Sequence, residues 1–388
     1  MIAMKKILLL LGAVLCLLSC EKIAETRVVD LARLTGDYEV RDGETLTGIL
    51  DGPYKITIAD GATVTLNNAV IYGLNDRNCK WAGITALGDA TLVLEASNIV
   101  KGFYDDYPGI YVPEGKTLTI RGSGKLDASS SGYAPGIGSE NVFGSKAGNI
   151  VIEEGTIRAD GGKGSAAIGS GWDCSCGDIT IRGGSVIAIG GEDGAGIGSG
   201  YEADCGNITI SGGTVHAEGG EDGAGIGCGH MATCGTITIS GGEVTSRTEF
   251  DGAGIGSGCG DDTDEDEGAT STCGDIIISG GTVVVNSHSI LAAAAIGSGQ
   301  EACCGNILIS GGTVVADGGF RSAGIGTSEK GSVGNITITK GVTQVSVTKW
   351  DEETPHSIGG GKDYVSIGTV TVGDKVGPVS ESPFVYKP

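Results

Sequence analysis

Aromatic side chains are scarce in this chain, 5% of 388 residues, and proline occurs only 8 times. With so few large rings, a core has to be filled by small and β-branched side chains. The low proline count, and the absence of a Gly-X-Y period among 73 glycines, exclude a collagen triple helix. Basic charge is also short: 25 Lys and Arg stand against 48 Asp and Glu, a net charge of −23. That balance argues against nucleic acid and anionic membrane surfaces as partners, since these require basic patches. It leaves cations, neutral glycans and protein partners. After residue 40 no stretch joins a helical apolar period to caps, and beyond the N-terminus no segment is long and apolar enough to cross a bilayer. Apolar residues still make up 39% of the chain, too many for a flexible Gly-rich linker.

At the N-terminus, Lys5 and Lys6 precede an apolar run from Ile7 to Leu18, the length of a signal-peptide core and too short to span a bilayer. It ends in Leu17-Leu18-Ser19-Cys20, which resembles a bacterial lipobox. That resemblance implies a signal peptide over 1–19 and lipidation at Cys20. The alternative is an ordinary signal peptide with an incidental cysteine. The expectation is an envelope lipoprotein, at the outer membrane or cell surface, touching the membrane through its lipid only.

One Gly-rich phrase dominates the rest. GAGIGSG at 194–200 returns as GAGIGCG at 223–229 and GAGIGSG at 252–258, with looser copies elsewhere. Aligned on their isoleucines, the copies fall at Ile137, Ile168, Ile197, Ile226, Ile255, Ile296, Ile325 and Ile358. Most spacings are 29 residues, and a phosphate-binding loop would need the phrase once. Each repeat has three apolar pieces. In 194–222 these are the phrase itself, Gly206-Asn-Ile-Thr-Ile210, and Thr214-Val-His-Ala-Glu218 after a Ser-Gly-Gly turn. The second piece alternates apolar with polar, which reads as a short strand with one buried face. The Ser-Gly-Gly turns supply positive φ for a corner.

Three short strands and three corners describe one turn of a coil. Stacked turns pair each strand with its copy in the next, parallel and about 4.8 Å away. The predicted fold is an all-β, right-handed parallel β-helix of about eleven turns, the handedness following from the crossover rule. Residues 20–50 form the anchor, linker and N-terminal cap, 51–375 the coil, and 376–388 a C-terminal cap, as terminal repeats require. The run Ile56-Thr-Ile-Ala-Asp-Gly-Ala-Thr-Val-Thr-Leu66, followed by many GAGIGSG…GNITISGGTV units, resembles the Gly-rich, pectin-lyase-like β-helix surface proteins of gut anaerobes. Some of these are carbohydrate-binding-domain proteins. The resemblance spans roughly residues 40–372 and implies a cell-surface protein that binds glycans. It carries over no functional residue, because what is shared is scaffold.

Several columns could carry chemistry. Cys176, Cys205, Cys234, Cys273 and Cys304 each precede the Gly that opens the second strand, where Ala147 and Val333 stand in other turns. The column reads as small buried residues, held as thiols or paired in part as disulfides. Zinc spacing, with Cys-x2-Cys pairs, is absent. Asp193, Asp222 and Asp251, with Glu192 and Glu221 beside the first two, stack at one corner. Such a ladder is a solvated acidic ridge or a Ca2+ site, since Ca2+ relieves like-charge repulsion and takes irregular oxygen sets. Asp262, Asp264 and Asp266, in the 41-residue interval between Ile255 and Ile296, match the start of a Ca2+ loop. The pattern then breaks, with Gly268 one place late and Cys273 where Glu is needed.

Trp172, Tyr201 and His230 lie four residues after successive aligned isoleucines, with Asp173 and Glu202 beside the first two. Facing solvent, the rings are a stacking platform for sugars, with acids to bind hydroxyls. Facing inward, they are a packing device. The four histidines, at 216, 230, 288 and 356, fall in different columns, and short regular connections leave no loops to wall a cleft. A catalytic set is therefore not assigned. The functional expectation is a monomeric surface lipoprotein whose β-helix face binds a polysaccharide or host glycan, with Ca2+ assisting. The alternatives are a structural or adhesive rod and, behind it, a polysaccharide lyase or hydrolase.

Overall fold

A computed structural model describes residues 27–248, 250–260, 270–287 and 291–388. It is an all-β parallel solenoid. The isoleucine of the repeated phrase sits in a 12-stranded sheet, and the second and third pieces of each turn belong to one 24-stranded sheet. Twelve stacked strands make eleven steps along the axis.

The register is the one the alignment requires. Ile168 pairs with Ile197, Ile197 with Ile226, Ile226 with Ile255, and the column continues through Ile296 and Ile325 to Ile358. Ile179, Ile208, Ile237, Ile276, Ile307 and Ile336 stack likewise. The alternating burial predicted for the second strand is present: Ile208 and Ile210 are buried and Thr209 is partly exposed. Burial of an Ile contributes roughly 1.5–3 kcal/mol, and stacking like on like repeats that gain at each level without a large ring. The 41-residue interval leaves the ladders intact, because Cys234 still pairs with Cys273 and Ile255 with Ile296.

Each clean turn holds a fourth, two-residue strand that the hydropathy pattern does not show. Asp204–Cys205 and Thr233–Cys234 are examples, and seven such strands stack in a sheet of their own. They carry the cysteine column. Two polar ladders also stitch turn to turn. Along one corner the side-chain oxygen of Asn149 accepts from the Asp178 N–H, Asp178 from Asn207, and Asn207 from Thr236. Inside the coil, the buried Ser170 and Ser199 hydroxyls accept from Gly200 and Gly229 N–H at 3.2 and 3.1 Å. Both ladders satisfy amides that no strand pairing reaches.

The phrase is a tight reversal. Within one turn the Ala195 N–H donates to Ser199 O, and Ala224 to Cys228 O. Gly198 and Gly227 have φ of +140°. A Cβ on either would collide with the carbonyl oxygen of the Gly stacked on it. Glycine is required there by backbone conformation and by the approach of the next turn, more than by room in the interior. The Ser-Gly-Gly corners have the expected positive φ, +85° at Gly213.

Stacking begins ahead of residue 51: Val28–Asp30 pairs with Thr45–Ile49, and Tyr38–Val40 with Ile56–Ile58. At the other end the pairing turns antiparallel, with Phe384–Tyr386 against Gln344–Thr348 and Lys375–Val376 against Val370–Val372. Antiparallel closure covers a sheet edge that would otherwise template further strands. No helix among the described residues is long and apolar enough to cross a membrane.

Candidate functional site

The reversal in the phrase brings two sequence columns together. The His230 N–H donates to Asp193 O at 2.9 Å, Cys259 to Asp222 O at 2.8 Å, and Gln300 to Asp251 O at 3.0 Å. A residue four places before one aligned isoleucine thus meets a residue four places after the next. The acidic and aromatic columns form one edge of the coil.

On that edge the rings touch in sequence. Trp172 and Tyr201 lie 5.2 Å apart at 90°, and Tyr201 and His230 lie 5.3 Å apart at 67°. Edge-to-face contact suits the ring quadrupoles. Trp172 is 38% exposed, and one side of its ring lies over Gly164. Tyr201 and His230 are half-buried. The column therefore faces neither wholly in nor wholly out. Asp173 and Glu202 flank it in left-handed backbone, φ +52° and +48°. Burial and then the neighbouring Glu202 raise the Asp173 carboxyl above its ordinary range. The sequence reading missed Phe143, 88% exposed, on the preceding turn, where the Gly144 N–H donates to Asp173 O. Only its exposure marks it, since it falls outside the repeat columns.

The acids divide into two groups. Asp193, Asp222 and His230 offer ligand atoms within 4.8 Å of one another, as do Asp222, Asp251 and Cys259. His230 Nδ1 is 3.6 Å from Asp222 Oδ2. Glu192 and Glu221 turn away and line a separate groove of about 360 Å³ with Glu218 and Phe250, and Glu192 is held by Lys163 at 2.7 Å. The three aspartates could offer oxygen to a hard cation, whereas His230 and Cys259 suit a softer one. Asp262, Asp264 and Asp266 lie outside the described residues, as does Cys20.

Crowding leaves its mark on protonation. All three aspartates are pushed up, with burial the largest cause. The Asp222 charge adds to the shifts of Asp193 and Asp251, and Asp251 rises to about 6. An acid raised in the native state takes its proton before the unfolded chain does. Its stabilising contribution is complete below the unfolded pKa, about 3.9, and is lost as pH rises through about 6. In Ca2+-free buffer, Asp251→Asn should be the more stable protein near about pH 7.5, by about 1–2 kcal/mol after allowance for solvent screening, and the gap should be clearly smaller near about pH 5 and close only below about pH 4. Thermal melts at these pH values check this, and an equal gap throughout would contradict it.

The cysteine column is buried as expected, and all ten described cysteines are free thiols. Cys228, which stands where most other copies of the phrase have Ser, was not part of the column read from sequence.

Comparison with known proteins bears on the scaffold. No curated protein and no solved structure matches the chain. A family model described as Beta helix repeat matches residues 150–172, 179–201, 208–230, 237–259 and 307–329. Each matched stretch runs from the second strand to the column of Trp172, Tyr201 and His230, so the chain is a parallel β-helix that carries this repeat where its candidate edge is built.

Proposed function

We propose that the chain is a surface lipoprotein whose β-helix binds carbohydrate along the Trp172–Tyr201–His230 edge, with Ca2+ assisting through Asp193, Asp222 and Asp251. One observation carries this reading: the ring ladder and the acid ladder, separate in sequence, join on a single edge at His230, whose N–H donates to Asp193 O and whose ring lies against Tyr201. The half-exposed indole of Trp172 offers an apolar face to the C–H face of a sugar ring. Asp173 and Glu202 are acceptors for hydroxyls. A Ca2+ bridging the aspartates would relieve their repulsion and add a ligand position for sugar oxygens. Anchorage at Cys20 would place the rod where polysaccharides are met.

The test is a glycan panel read with and without Ca2+, comparing the full chain with Trp172→Ala. Loss of the stacking face should weaken binding about tenfold or more, since about 1.4 kcal/mol corresponds to a factor of ten. Absence of binding to every glycan would sink the proposal. A structural rod is then favoured, because the rings direct edges and faces at one another. In that case Trp172→Ala would lower the melting temperature and have no ligand to lose.

A further inference from the structure

Inside the coil, away from the edge above, three sulfurs converge. Cys228, Cys234 and Cys273 are all buried, 0%, 7% and 1% exposed, and their sulfur atoms lie within 4.8 Å of one another. Cys228 and Cys234 Sγ are 2.9 Å apart. Cys234 and Cys273 are partners in the stacked two-residue strands, so the coil places them one above the other. Cys228 comes from the phrase, six residues before Cys234 in the same turn.

The placement of Cys228 is what needs explanation. Its position is Ser170 and Ser199 in the two preceding turns and Ser257, Ser298 and Thr327 in the following ones. Those hydroxyls accept an amide from the next turn: Ser199 from Gly229 at 3.1 Å, Ser257 from Gly299 at 3.0 Å, Thr327 from Gly361 at 2.8 Å. At the one level where the phrase carries Cys, the sulfur instead faces Cys234 and approaches Thr272 O at 3.3 Å. A thiol is a poor acceptor, so the exchange weakens the ladder locally. A third sulfur beside a stacked pair is what it adds.

We propose that Cys228, Cys234 and Cys273 form a trigonal site for a soft, low-coordinate metal ion, Cu(I). Thiolate sulfur selects soft ions. Ca2+ and Mg2+ need oxygen, and a structural zinc ion takes a fourth ligand. The three-sulfur group contains no His or carboxylate, and its burial suits an ion that needs neither water nor octahedral space. Binding releases the thiol protons, because the ligating forms are thiolates. The neighbours Cys205 and Cys304 continue the column on either side, which gives the core a run of sulfur along its axis.

The full chain, reduced and kept anaerobic, is titrated with Cu(I) against a chromophoric Cu(I) chelator, and the loaded protein is examined by X-ray absorption at the copper edge. The expected result is one tightly held equivalent in a three-sulfur shell. Cys228→Ser restores the hydroxyl used in the other turns, so it should fold as well as the parent and lose that equivalent. Cys79→Ser, far from the cluster, should keep it. Failure of the parent to hold copper against the chelator would overturn the assignment. So would unchanged retention in folded Cys228→Ser, or a shell containing nitrogen or oxygen.

Discussion

Gly227→Ala is expected to cost the coil on the order of 3–5 kcal/mol, a large fraction of the stability of an ordinary domain. Two effects add. The φ of +140° at Gly227 lies in a region closed to side chains, and the new Cβ would run into Gly256 O of the next turn. Neither strand can retreat, because Ile226 is locked between Ile197 and Ile255. Gly61→Ala is the matched control: φ there is +77°, with no atom near an added Cβ. Its expected cost is about 1–2 kcal/mol, the left-handed penalty alone. Urea unfolding of both variants makes the comparison, and equal costs would mean that contact between turns is not why the phrase is rich in glycine.

Ile226→Ala should cost about 3–4 kcal/mol, within the usual range for emptying a fully buried site. A solenoid turn touches only its neighbours, so the damage should stay local. Hydrogen exchange should accelerate across residues 194–258 and stay slow across the early strands at Ala90–Glu95 and Thr117–Arg121. Loss of protection along the whole chain would show instead that the array unfolds as one unit.

How much of this was legible in the sequence depends on whether a feature repeats in place. The isoleucine columns, the alternating second strand and the Ser-Gly-Gly corners each recur at a fixed offset, and each stacks as read. The Ser199 and Asn207 ladders recur as well, but what matters there is a hydroxyl or amide bonding the next turn, which hydropathy does not register. The union of Asp193 with His230 was hidden for a different reason. It joins two columns through the reversal at Ala195–Ser199, and offsets counted along one repeat keep them apart. Cys228 was masked by its surroundings, a single exchange in a phrase whose role looks wholly geometric. The acids show the reverse error of grouping: Glu192 and Glu221 are adjacent in sequence to Asp193 and Asp222, yet line a different groove.

The claim that the ring and acid ladders make one binding edge is tested most directly by locating a bound ligand. Hydrogen exchange of the full chain would be followed with pooled polysaccharides and Ca2+, against protein alone. The account predicts protection concentrated at 172–173, 193, 201–202, 222 and 230, with the opposite face unchanged. Protection confined to another face, or none with any polysaccharide, would contradict it.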